Sequence, residues 1–229
     1  MEEEAGEFWV WVSFIPEHRL MLASHVGRHE EADARAVMEK SQAHLARPLP
    51  LFVSDGWDAY LEALLGAYHQ ERRPPRTGLP GRPPGPEKVP DPELCYAQLV
   101  KIREKGRVVA TCKRVMFGEE GAVDLDQVST SLIERQNLTL RHDNRRLTRK
   151  TIGYSKCLAM LKHQINLHRV YYNFLKTHRA LRQRTNVKVV GKVRRKWRRR
   201  TPAMAAGLTD HVWELRELLA WKPGIISTN

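Results

Sequence analysis

Leu51-Phe52-Val53-Ser54-Asp55-Gly56 decides how the chain is read. Three consecutive apolar residues make a short strand, Leu51–Val53, and Ser-Asp-Gly ends it. Trp57–Tyr68 then has helical apolar periodicity. A strand that ends in an acid and feeds a helix presents that acid to a cleft. Asp55 is the residue so presented, and it equally suits a turn ahead of Trp57.

Upstream, Pro48 and Pro50 stop an amphipathic helix predicted over Glu30–Leu45, with Ala34, Val37, Met38 and Ala43 on its apolar side and acids in its first turn. Before it, FWVWVSFIPEHRLMLASHV (8–26) reads as a β-hairpin, Phe8–Phe14 and Arg19–Val26, around Ile15-Pro16-Glu17-His18, with Gly27 closing it. Trp9, Trp11 and Trp57 read as core or rim aromatics. Downstream, residues 72–92 hold eight prolines and three glycines. Fixed φ angles and missing amide donors exclude a helix or central strand there, so a spacer loop is predicted. Cys95–Lys101 and Arg107–Phe117 follow as strands around Glu104-Lys105-Gly106.

Residues 130–150 run TSLIERQNLTLRHDNRRLTRK. Thr130 or Ser131 caps a helix, with Glu134 placed for a capping box. Ile133, Leu140 and Leu147 form a buried seam, and Glu134 begins a neighbouring stripe that becomes basic. A second helix is predicted over Ser155–Phe174, with Leu158, Leu161, Ile165 and Tyr172 on one side. Lys192–Arg200 carries seven cations in nine residues, too much like charge to order without an anion. A short amphipathic stretch, Asp210–Ala220, ends the pattern.

Of 229 residues, 39 are Lys or Arg and 26 are Asp or Glu, and pI is about 10. The excess is regional: residues 1–90 carry 10 basic and 14 acidic side chains, and the remainder carries 29 and 12. A polyanion is the partner this implies. Cys95, Cys112 and Cys157 lack metal or redox spacing and read as reduced thiols. No apolar run is long enough for a membrane span, and the acidic Met1–Glu4 start is unlike a secretory leader. A cytoplasmic protein is expected.

A hairpin, a helix, an Asp-ending strand and later a Glu-bearing helix follow the order of a ribonuclease-H-like α/β core, a mixed sheet flanked by helices. Carboxylates converging from a strand end and a helix suit Mg²⁺ or Mn²⁺, which prefer oxygen ligands. SDGWDAYLEAL around Asp55 resembles the second catalytic aspartate region of bacterial insertion-sequence transposases of the DDE type. TSLIERQNLTLRHDNRRLTRKTIGYSK resembles their third catalytic segment. LHRVYYNFLKTHRALR, TPAMAAGLTDHVWELRELL and EFWVWVSFIPEHRLMLASHVG are similar to further segments, in family order.

The resemblance implies a DNA transposase, nucleoid-associated in a bacterium and oligomeric, that cuts and joins double-stranded DNA at transposon ends with divalent metal. Asp55 and Glu134 would be catalytic metal ligands. It implies a third, earlier carboxylate, yet no Asp precedes Asp33 in this sequence, leaving Glu2, Glu3, Glu4 and Glu7. A form lacking its first segment is therefore expected, and a non-catalytic DNA-binding relative is the alternative. The catalytic domain would cover residues 1–178, and a basic tail with a short helix residues 179–229. Arg135, Arg141, Arg145, Arg146, Arg149 and Lys150 would lie along the DNA, joined by Lys192, Arg194, Arg195, Lys196, Arg198, Arg199 and Arg200. Some of these arginines also suit a merely solubilising face. Asn173 and His178 are candidates for positioning substrate or for packing.

Overall fold

A computed structural model describes residues 8–74, 85–119, 121, 123–148, 152–185 and 197–221. Strands β1 (Trp9–Ile15) and β2 (Leu20–Gly27) form the hairpin, pairing antiparallel with a register shift at Ser13/Phe14. Period-two alternation divides its side chains between two cores. Val10, Val12 and Phe14, with Met21 and Val26, meet Leu140 of helix α3 (Ser131–Asp143) and Leu161 and Ile165 of α4 (Leu158–Val170). Trp11 points the other way, onto Ala34 and Val37 of α1 (Glu31–Gln42) and Ala59 and Ala63 of α2 (Ala59–Ala67). Helices thus cover both faces of the hairpin.

β3 (Phe52–Asp55) begins one residue later and ends two residues later than the Leu51–Val53 strand of the sequence reading, so Asp55 is its last residue. β3 runs parallel to β6 (Tyr96–Glu104), which pairs antiparallel with β7 (Arg107–Phe117). The β6–β7 turn places Lys105 and Gly106 at φ 47° and 79°, the doubly left-handed geometry that matches strand twist. One face of this sheet, with Phe52 and Tyr96, packs on Leu64 and Tyr68 around α2. The other, with Val53, Ala97 and Leu99, is covered by Val123 and Val128 from the segment leading into α3.

The architecture is mixed α/β, with several small sheets and helices. Among the described residues the ladders form four sheets, β1–β2, β3–β6–β7, β4–β5 and β8–β9, and no ladder joins the hairpin to β3. β1 and β3 each keep one unpaired edge, so a single mixed sheet is not formed by these residues. β4 (His69–Arg72) and β5 (Glu87–Pro90) pair at the base of the proline-rich segment, where the sequence predicts only a spacer loop. β8 (His178–Arg184) pairs with β9 (Trp197–Arg200), inside the basic run expected to lack order. Helices α5 (Pro202–Ala205) and α6 (Leu215–Ala220) follow, and Thr201 caps α5 by accepting the Met204 N–H at 3.2 Å. Among the described residues no helix is long and apolar enough to cross a membrane.

α3 stops at Asp143, short of the predicted seam. Buried Asn144 leaves helical geometry, its amide donates to the Leu140 carbonyl at 2.8 Å, and Gln164 donates to its Oδ1 at 3.1 Å. Leu147 reaches the core from a separate turn, Arg145–Leu147. At its own end α4 widens into a π-helical turn, Tyr171–Leu175.

Candidate functional site

Parallel register sets Asp55 near the strand lysine that holds the other proposed catalytic acid, Glu134. Asp55 pairs with Leu99, and Lys101 follows two residues along β6, so all three side chains share a face. The Lys101 ammonium holds the Glu134 carboxylate in an ion pair. Leu99 and Lys101 lie roughly 7 Å apart along the strand, so Asp55 and Glu134 approach the same end of the same sheet. No hydrogen bond joins the two carboxylates.

Asp55 is exposed, and its Oδ1 accepts the Trp57 N–H at 3.4 Å, a turn that orients the chain into α2. Glu134 also accepts from the Thr130 hydroxyl at 2.6 Å. Thr130 therefore binds the glutamate side chain instead of capping the helix N–H groups, and the expected capping box is not made. Hydrogen bonding from Lys101 first, then from Thr130, holds the Glu134 carboxyl below the usual carboxylate range. Lys101 and Thr130 are the site residues that sequence reasoning missed. Thr130 was visible as a cap, but nothing local to Lys101 signals a partner 33 residues away.

These donors do not by themselves make a divalent-cation site. Two carboxylates are present, one is already neutralised by an ammonium, and no group of three His, Cys, Asp or Glu able to hold a metal occurs among the described residues. Glu2, Glu3, Glu4 and Glu7, the candidates for the first carboxylate, lie outside the described residues.

Arg135, Arg141, Arg145 and Arg146 are all exposed, along and just beyond α3, downstream of Glu134. Arg149, Lys150, Lys192, Arg194, Arg195 and Lys196 lie outside the described residues. The last three arginines divide by task. Arg198 donates to the Asp210 carbonyl at 2.6 Å and Arg200 to the Met204 carbonyl at 2.7 Å, tying β9 to the C-terminal segment. Arg199 is exposed with no such tie. On β8, Arg182 lies over the Trp197 ring of β9, 4.2 Å from its centroid, a cation–π contact between the two strands. Arg179, Arg182 and Trp197 line an open hollow of about 550 Å³.

Asn173 and His178 sit elsewhere, in the core beside the hairpin. The π-helical turn aims buried Asn173 at β2, where its Oδ1 accepts the Met21 N–H at 3.0 Å and its Nδ2 donates to the Met21 carbonyl at 2.9 Å. His178 packs edge-on against Tyr172, with ring centroids 4.6 Å apart, and its Nε2 is buried without a hydrogen-bond partner. Burial, then the charges of Lys176 and Arg19, push its pKa down to about 4. His168 is shifted the same way, chiefly by burial.

A neutral histidine in the folded chain, with an ordinary value near 6.5 when unfolded, lets the unfolded state bind the extra proton. Stability is therefore complete above pH 6.5 and falls as pH drops through the window to about 4. The denaturant midpoint of the chain should decline across that window, and His178→Phe should flatten the decline. A midpoint independent of pH between 6.5 and 4 would contradict the buried, neutral ring.

The chain matches no protein-family model, no curated protein and no solved structure.

Proposed function

We propose that the chain acts as a DNA transposase of the DDE type, or as part of one, working on double-stranded DNA at transposon ends. Asp55 and Glu134 supply two of the carboxylates for Mg²⁺ or Mn²⁺, and a third acid completes the set. The observation that supports this reading is that Asp55, at the C-terminal end of β3, pairs beside Leu99, while Glu134, far away in sequence, is bound by Lys101 two residues further along the same strand. Exposed Arg135, Arg145 and Arg146 extend from that end and suit phosphate contacts that fix position without reading bases. The ribonuclease-H-like fold belongs to the same proposal. The free edges of β1 and β3 leave room for a further strand that would unite hairpin and Asp55 sheet, and synapsis of two ends calls for an oligomer.

The Lys101–Glu134 pair favours a second reading, a non-catalytic DNA-binding relative in which the ammonium takes the place of a cation. Nicking of supercoiled plasmid in Mn²⁺ by the chain, Asp55→Ala and Glu134→Ala separates the two. The transposase reading expects nicking by the chain and loss to background in both variants. DNA binding without nicking by any of the three supports the second reading, and equal nicking by all three overturns the first.

A further inference from the structure

α4 runs along the unpaired edge of β2, and its polar side chains meet that edge in turn. Asn173, in the turn that continues α4, pairs with the Met21 N–H and carbonyl, and four residues earlier Arg169 donates to the Leu22 carbonyl at 3.1 Å. The next positions back, Asn166 and Lys162, recur at helical spacing on the same side. There the ladder of bonds stops. Asn166 and Lys162 instead line a notch of about 120 Å³ with Ser24, His25 and Val26 of β2, Lys40 of α1 and Ile165.

The notch is polar, cationic and incompletely satisfied. Ser24 is 6% exposed, and among the described residues its buried hydroxyl has no hydrogen-bond partner, although buried polar groups ordinarily find one. Lys40 Nζ lies 3.1 Å from His25 Nδ1, and His25 Nε2 is bonded to Asp33 at 2.8 Å. Asp33 is thus committed to the far side of the ring. Burial first, then the like charges of Lys162 and Arg169, depress the pKa of Lys40. Three cations converge with one acid, itself engaged.

We propose that this notch is an oxyanion site that takes a phosphate group, held by the Lys40 and Lys162 ammonium groups and by the Ser24 hydroxyl and Asn166 amide. A tetrahedral oxyanion supplies acceptors for all four donors and relieves the repulsion among the cations. The group comes either from free orthophosphate or from a phosphodiester of bound DNA. The site shares no residue with the Asp55–Glu134 end, so it stands or falls apart from the transposase reading.

The test follows the backbone amides of Ser24–Val26 by NMR in the full chain, titrated with sodium orthophosphate against sodium chloride at equal ionic strength. Saturable shifts at these amides with phosphate, absent with chloride, are expected. Lys162→Met should weaken phosphate affinity by about tenfold, Ser24→Ala should weaken it as well, and Lys162→Arg should restore it. Lys162 is exposed, so its variants test binding without disturbing the core. A DNA duplex that reproduces the same shifts identifies the phosphodiester as the source, and shifts with orthophosphate alone identify the free ion. Equal shifts in chloride, or phosphate affinity unchanged in Lys162→Met and Ser24→Ala, would overturn the proposal.

Discussion

Trp11→Ala should destabilise the chain by about 4 kcal/mol, within the range for truncating a buried aromatic, and, on the proposed function, leave DNA binding unchanged where the variant is still folded. Trp11 is 6% exposed and forms the contact between the hairpin and helices α1 and α2. Its ring lies 5.3 Å from Trp57 and 5.9 Å edge-on from Tyr60, and it stacks on His29 at 5.3 Å. The indole N–H donates to the Arg28 carbonyl at 3.0 Å. Alanine removes all of these at once and leaves that carbonyl without its donor. Urea unfolding by circular dichroism measures the loss, and fluorescence anisotropy with a labelled duplex measures binding. A fall in DNA affinity with little change in stability would make Trp11 a nucleic-acid contact and contradict its place in the core.

Asn173→Ala should cost about 3 kcal/mol, because one buried amide satisfies both backbone groups of Met21, and each orphaned group carries a desolvation penalty of about 1–3 kcal/mol. Next to it Arg169 bonds the Leu22 carbonyl at 3.1 Å, and Met21, Leu161, Ile165 and Tyr172 pack in one cluster. Asn173→Asp is a sharper variant. It keeps an acceptor for the Met21 N–H but sets a carboxylate against the Met21 carbonyl, and it should be at least as damaging as alanine. Equilibrium unfolding with an unchanged denaturant slope reports this directly. A loss under about 0.5 kcal/mol in Asn173→Ala would contradict this packing role and return Asn173 to the candidates for positioning substrate.

Much of this fold was legible because short-range periodicity carries it. Two apolar stretches around Ile15–His18 marked the hairpin, and Leu158, Leu161, Ile165 and Tyr172 marked the inner side of α4. The turn at Lys105-Gly106 was visible from glycine placement. What stayed hidden depends on partners distant in sequence. β9 forms because Arg182 stacks on Trp197 and because Arg198 and Arg200 reach carbonyls, none of which a count of like charges reveals. β4 and β5 pair across the proline-rich segment because their four residues each lie outside its densest part.

The candidate site was legible in the same uneven way. Asp55 was identified from the strand that ends on it and Glu134 from the helix that begins beside it, and the fold pairs Asp55 beside Leu99 and sets Glu134 against Lys101 of the same strand. The ion pair that occupies Glu134 was not visible, since Lys101 looks like any exposed strand lysine until β6 is set beside α3. The role of Asn173 was equally hidden, because it depends on a wider turn at the end of α4 that no periodicity announces.

The shared end of the Asp55 and Glu134 elements is tested most directly by cross-linking. Asp55→Cys and Glu134→Cys, combined in a chain whose Cys95, Cys112 and Cys157 are replaced by serine, should be joined by a short bismaleimide in the native protein, with no joining in urea. Native protein in which both new thiols react singly and no cross-link forms would contradict the placement on which the proposed activity rests.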